Sequence, residues 1–264
     1  MLRILLVIAV LLLAGCDAFS QKSIATICEE EQSLCSDLNP DSWCRAEKSV
    51  IIRSRYEDLQ KPQDINKYRL LLGFEDYKKC ISKASQIEHI KFKEKQTGRV
   101  KGLLTAEREL KRLARATRDS KEPHLLYYQW SRHNNEEALE TFMKYKDEGK
   151  LETSELQVAL ASYYSKFDLP TTIKTLHHAL ELHEEDADID ENIFSSLATI
   201  YMKLEQFDKA YIWGVIALEH DVEDLDLIQI EALLLQQNSN IKQLNKIAKQ
   251  YSKSIDKGDF IRPI

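Results

Sequence analysis

Two groups of side chains in this 264-residue chain have the types and spacing to do chemistry: a cluster of histidines and five cysteines. His177, His178 and His183 lie close to Glu181, Glu184 and Glu185. On a helix, His177, Glu181 and Glu184 stand at i, i+4 and i+7 on one face, a donor set that could hold a divalent cation. The same residues make an ordinary solvated helix face with i,i+4 support, and that is the better reading. The acidic run Glu181–Glu191 lacks the ligand spacing and central glycine of a calcium loop. No phosphate-cradling glycine loop, nucleophile elbow or paired-histidine zinc motif occurs in the sequence. No metal, no cofactor and no catalytic residue is therefore expected.

Cys16 stands apart from the other cysteines. It follows a short basic start at Arg3 and an unbroken apolar run from Ile4 to Leu13. That run is too short to span a bilayer and the right size for a signal peptide. Leu13-Ala14-Gly15-Cys16 resembles the bacterial lipoprotein box, in which the cysteine takes a diacylglyceryl thioether and becomes the first mature residue. Residues 1–15 are then a lipoprotein signal peptide and 16–22 a lipidated tether. The tether reaches at most ~25 Å, so the folded part sits close to the membrane. The expected location is the cell envelope, facing the periplasm. Asp17 bears on inner-membrane retention without deciding between the two membranes.

Four cysteines remain: Cys28, Cys35, Cys44 and Cys80. An oxidising envelope makes two disulfides the default, and their spacings fit no zinc pattern. Three connectivities are open. Asn39-Pro40-Asp41 reads as a helix stop and a cap for a helix starting at Ser42, and Pro62 as the turn of a hairpin. Cys44 and Cys80 are equidistant from Pro62, which favours Cys44–Cys80 and leaves Cys28–Cys35. The second pair requires the helix through Cys28 to end early, since seven residues of straight helix rise ~10 Å.

The rest of the chain supplies helices to position these groups. Only seven glycines and five prolines are present, too few for the tight turns of a β-sandwich. Phe74, Tyr77, Ile81, Ala84 and Ile87 recur at helical spacing, as do Leu103, Ala106, Leu110, Leu113 and Thr117. Gln96-Thr97-Gly98 reads as a turn. Residues 23–121 form a basic, cysteine-containing helical segment, and residues 122–264 an acidic one with 14 basic against 26 acidic side chains. The overall net charge of −6 argues against nucleic-acid binding.

Leu160-Ala161-x-x-Tyr164 returns as Leu197-Ala198-x-x-Tyr201, each followed by a polar turn and a second helix. Leu197, Ala198, Tyr201, Ala210 and Ala217 resemble the tetratricopeptide pattern, with Gly214 where an aromatic is usual. The fold class read from this is all-α: a helical hairpin array, a tetratricopeptide-like superhelix, behind a disulfide-stapled N-terminal helical segment. The resemblance implies a concave groove near Tyr128, Ser162, Ser195, Thr199 and Met202. It lacks the Lys, Arg and Asn of the family's peptide-carboxylate clamps. The lipoprotein box, Ile27-Cys28, Leu34-Cys35 and Ser42-Trp43-Cys44-x-x-Glu47-Lys48 resemble an uncharacterised bacterial lipoprotein family, domain of unknown function 2989. That resemblance implies a repeat-bearing lipoprotein and brings no activity with it. The reading is of a scaffold or regulator in envelope assembly, binding a protein partner that carries a basic surface. A soluble-ligand or glycan-binding lipoprotein is the alternative, and an enzyme is less favoured.

Overall fold

The computed structural model describes residues 22–88, 93–185, 187–222 and 225–262. Cys16 and the apolar run before it lie outside the described residues. Among those described the chain is all-helical, with α1 (Ile24–Glu30), α2 (Arg45–Gln60), α3 (Asp64–Ser85), α4 (Lys93–Ala116), α5 (Pro123–His133), α6 (Glu136–Asp147), α7 (Ser154–Tyr164), α8 (Leu169–Glu181), α9 (Asn192–Lys203), α10 (Phe207–Glu219), α11 (Ile228–Gln236) and α12 (Ile241–Asp256). Helix starts carry oxygen caps at Ser23, Glu122, Thr153, Asp168 and Asn240, each accepting from the backbone N–H three residues on. Several turns pass through the left-handed region, at Asn134, Gly149, Glu205 and Asn238.

Packing divides the chain into two compact units, Met1–Ala138 and Leu139–Ile264. The charge changes sign earlier, at residue 121, but Leu125 and Tyr128 of α5 belong to the first unit's core.

The first unit is built on the hairpin α2–α3, which turns at Pro62, with α4 laid along α3. Ile51, Leu71, Phe74, Tyr77, Ile81 and Leu113 are fully enclosed there. Burying side chains of this size contributes roughly 1.5–3 kcal/mol each. Cys44 and Cys80 are bonded across the hairpin, with Cα atoms 5.9 Å apart. Cys28 and Cys35 are bonded at 5.8 Å, because α1 ends at Glu30 and a 3-10 turn over Gln32–Leu34 folds the chain back.

Two local expectations need correction. Helix α2 starts at Arg45, not Ser42, and its preceding residue Cys44 is left-handed at φ 56°. Asn39 and Asp41 are instead tied into a buried polar knot. Tyr77 Oη donates to Asn39 Oδ1 (2.8 Å), and Arg99 Nε donates to Asp41 Oδ2 (2.7 Å). Lys48 Nζ donates to the carbonyls of Asn39 and Asp41. Burial opposes the Asp41 charge, yet the hydrogen bonds from Arg99 and Asn39 outweigh it and hold the carboxyl below its usual range. Nor is Gln96–Gly98 a turn: α4 runs through it. Gly98 is there for close approach, since a Cβ would stand 2.7 Å from Pro40 Cδ.

The second unit is a succession of helical hairpins: α7 against α8, α9 against α10, then α11 and α12 against α10. The repeat positions Leu197, Ala198, Tyr201, Ala210 and Ala217 are all buried. At Gly214 a Cβ would meet Leu227 Cδ2 at 2.6 Å, so the missing aromatic makes room for the segment entering α11.

Candidate functional site

The residues expected to face a groove separate into two groups. Ser162 on α7 and Ser195 and Thr199 on α9 line one groove of ≈470 Å³ in the second unit. Its floor is aliphatic: Val158 and Ala161 from α7, Leu176 from α8, Ile193 and Ile200 from α9. The space exists because the residues facing one another across it are small. Ser165, Thr172, Asp190, Asn192 and Ser196 complete the lining and were not read from the sequence. The signal was there: Ser162–Ser165 and Ser195–Thr199 are short polar side chains at helical spacing on successive first helices.

Four of the groove's six hydroxyls have their protons committed elsewhere. Ser162 Oγ donates to the Val158 carbonyl (3.0 Å), Ser165 Oγ to that of Ser162 (2.8 Å) and Thr172 Oγ1 to that of Asp168 (2.7 Å). Ser195 Oγ donates to the Asn192 carbonyl at 3.3 Å. Hydroxyls used this way keep their lone pairs for a ligand. Asp190, exposed at the edge, adds a carboxylate that already orders Asn192 through its N–H (3.0 Å) and Nδ2 (2.7 Å). The surface is thus rich in acceptors. Among the described residues that line it there is no histidine, cysteine, lysine or arginine. Such a lining suits recognition by shape and hydrogen bonding.

The other two groove expectations are corrected. Tyr128 is enclosed in the first unit's core, where its Oη donates to Glu75 Oε1 at 3.0 Å. Burial, with the Glu75 carboxylate beside it, pushes its hydroxyl pKa up. Met202 packs half-buried on the second unit's core and does not line the groove. A repeat template places helices more reliably than it chooses which of a helix's adjacent residues turn inward.

The histidine face also comes apart in three dimensions. His177 is 3% exposed and ringed by Trp213 (centroids 5.3 Å), Phe260 (6.1 Å) and Tyr201 (6.4 Å). Its Nε2 has no hydrogen-bond partner among the described residues. Burial, reinforced by Arg262, depresses its pKa to about 4. Glu181 is committed to Arg262, which donates through Nη2 (2.6 Å), Nε (3.1 Å) and its backbone N–H (3.3 Å). These bonds hold the Glu181 carboxyl at about 2. Glu184 is exposed, away from His177's aromatic shell. Among the described residues one other set of potential ligands converges, Cys44, Glu47 and Cys80, and its two sulfurs are spent in a disulfide.

No curated protein and no solved structure matches the chain. A family model does, over residues 13–215, a span that takes in the cysteine-stapled first unit and the groove between α7 and α9. With most of its length matched, the chain belongs to the family described as "Protein of unknown function (DUF2989)".

Proposed function

We propose that this protein is a lipid-anchored envelope protein, facing the periplasm, that works as an interaction module and captures a protein partner in the second unit's groove. The single observation that supports this most is the acceptor-rich lining over an aliphatic floor. Serine and threonine lone pairs and the Asp190 carboxylate ask for a ligand that brings donors. A polypeptide with lysine or arginine beside aliphatic side chains has both features. The acidic excess of residues 122–264 would speed encounter with such a partner. A glycan site favours an aromatic platform, and none occurs among the described residues lining the groove. The tetratricopeptide-like layout accords with this reading.

The test pairs two substitutions on facing helices, Ser162→Arg with Thr199→Arg. Both positions are exposed, so the helices should tolerate the change while the groove is filled and its charge reversed. Cross-linking in intact envelopes should capture a partner with the parent and lose it with the double variant, at unchanged helical circular dichroism. Capture of the same partner by both would remove the groove from the reading. Anchoring is tested separately: Cys16→Ser should shift the protein out of the membrane fraction, and an unchanged membrane pellet would place the anchor elsewhere.

A further inference from the structure

Helix α4 carries a second surface that the groove does not use. Lys101, Leu104, Arg108, Lys111 and Arg115 recur in steps of three and four, so they lie along one face for about 21 Å. Arg118 continues the line just past the helix end. The opposite face is the buried one, carrying Gly102, Ala106 and Leu113. The outward face is therefore set by packing: whatever turns Ala106 and Leu113 inward turns these cations out. All of them are exposed, and Leu104 is 59% exposed with Val100 beside it at 41%.

Internal neutralisation does not consume this charge. Arg108 is shared between Asp37 (3.5 Å) and Glu109 (3.3 Å), and Lys101 donates to the Ser36 carbonyl. Lys111, Arg115 and Arg118 have no ion pair among the described residues. These three, with His133 and Asn134, line a cleft of ≈560 Å³ beside the α5–α6 turn, with Glu136 as the carboxylate among its lining.

The segment just after the Cys28–Cys35 bridge lies against the same helix. Cys35, bonded to Cys28 of α1, is followed by Ser36 and Asp37. Lys101, Thr105 and Arg108 of α4 reach to those two residues. Only five residues lie between Cys16 and Lys22, the first described residue, a reach of about 20 Å from one to the other.

We infer that the α4 stripe docks on a membrane surface rich in anionic lipid headgroups, as a second contact beside the anchor. Evenly spaced cations without a shape-selective apolar pocket suit a fluid, uniformly charged surface, and Leu104 and Val100 can enter the headgroup layer between them. The cleft of Lys111, Arg115 and Arg118 is large enough to receive a headgroup phosphate. A short tether raises the local concentration of lipid, so a modest electrostatic attraction suffices. The inference rests on the membrane-anchored reading for that proximity, and the two are tested apart.

The full chain, purified in detergent, is reconstituted with phosphatidylcholine vesicles alone or with phosphatidylglycerol-rich ones. Flotation with phosphatidylcholine alone reads the anchor. Amine acetylation read by mass spectrometry then reports the stripe, with Lys79 on α3 as internal reference. Lys101 and Lys111 should be protected roughly threefold or more by the anionic vesicles and not by the neutral ones. The protection should vanish as salt shortens the screening length from ~10 Å at 0.1 M to ~3 Å at 1 M. Arg115→Glu with Arg118→Glu should remove it at Lys111 while flotation and circular dichroism stay as in the parent. If the chain does not float with neutral vesicles, the anchor reading fails, and the labelling with added anionic vesicles still decides the stripe. Equal labelling in both vesicle types overturns the inference. So does protection by inorganic phosphate alone, which marks a free-anion site, or by polyglutamate but not vesicles, which marks an acidic protein partner.

Discussion

Lowering the pH should cost the second unit stability through one residue, His177. Its imidazole is enclosed by three rings, its Nε2 has no partner among the described residues, and Arg262 and Lys209 add repulsion that Glu181 only partly offsets. The native state therefore holds it neutral down to about 4, against 6.5 for the free side chain. Between those values the unfolded chain binds a proton that the native chain refuses. Stability then rises with pH across the window and falls as pH drops from 6.5 towards 4. Each tenfold difference in proton affinity between the two states is worth about 1.4 kcal/mol, so the full loss is about 3 kcal/mol, most of it already present by pH 4.5. Hydrogen exchange of α10 amides, corrected for intrinsic rates, reads this unit directly. Between pH 7 and 4.5 the protection of the parent should drop by roughly fiftyfold more than that of His177→Phe, which keeps a ring in the shell and cannot titrate. Carboxylates shared by both proteins cancel in the comparison. Parallel loss in parent and variant would refute the assignment and show that the shell admits a charged imidazole.

Two further outcomes follow from the first unit. Asp41→Asn leaves Arg99, 2% exposed, without its counter-charge and should cost about 3–5 kcal/mol in α4 exchange protection. Adding Arg99→Met should recover most of it, and no recovery would mean that Asp41 acts through Asn39 and Trp43 instead. Removing the Cys44–Cys80 bridge, which spans 36 residues, should lower the urea-unfolding free energy by about 4 kcal/mol, against about 2.5 for Cys28–Cys35, which spans seven; equal losses would argue against loop closure as the source.

What the sequence determined by itself is what depends on local spacing. Helical periodicity and a shortage of glycine and proline specify an all-helical chain through short-range sterics and hydrogen bonds. The hairpin at Pro62 and the equal distances of Cys44 and Cys80 from it bring those sulfurs level before any tertiary detail is known. Ser162, Ser195 and Thr199 were legible as a shared face because a repeat returns equivalent residues to equivalent places. Tertiary structure decided which face of each helix is dry. His177, Glu181 and Glu184 share a helix face by spacing, yet Trp213 and Phe260 take His177 into the interior, and Arg262, 81 residues further on, claims Glu181. Tyr128 went to the first unit's apolar core, where its hydroxyl meets Glu75. Gly98 reads locally as a turn, but Pro40, far off in sequence, needs the space a side chain would fill. Spacing specifies the neighbours within a helix, whereas burial is a competition among all the surfaces the chain can bring together, and only the folded chain settles it.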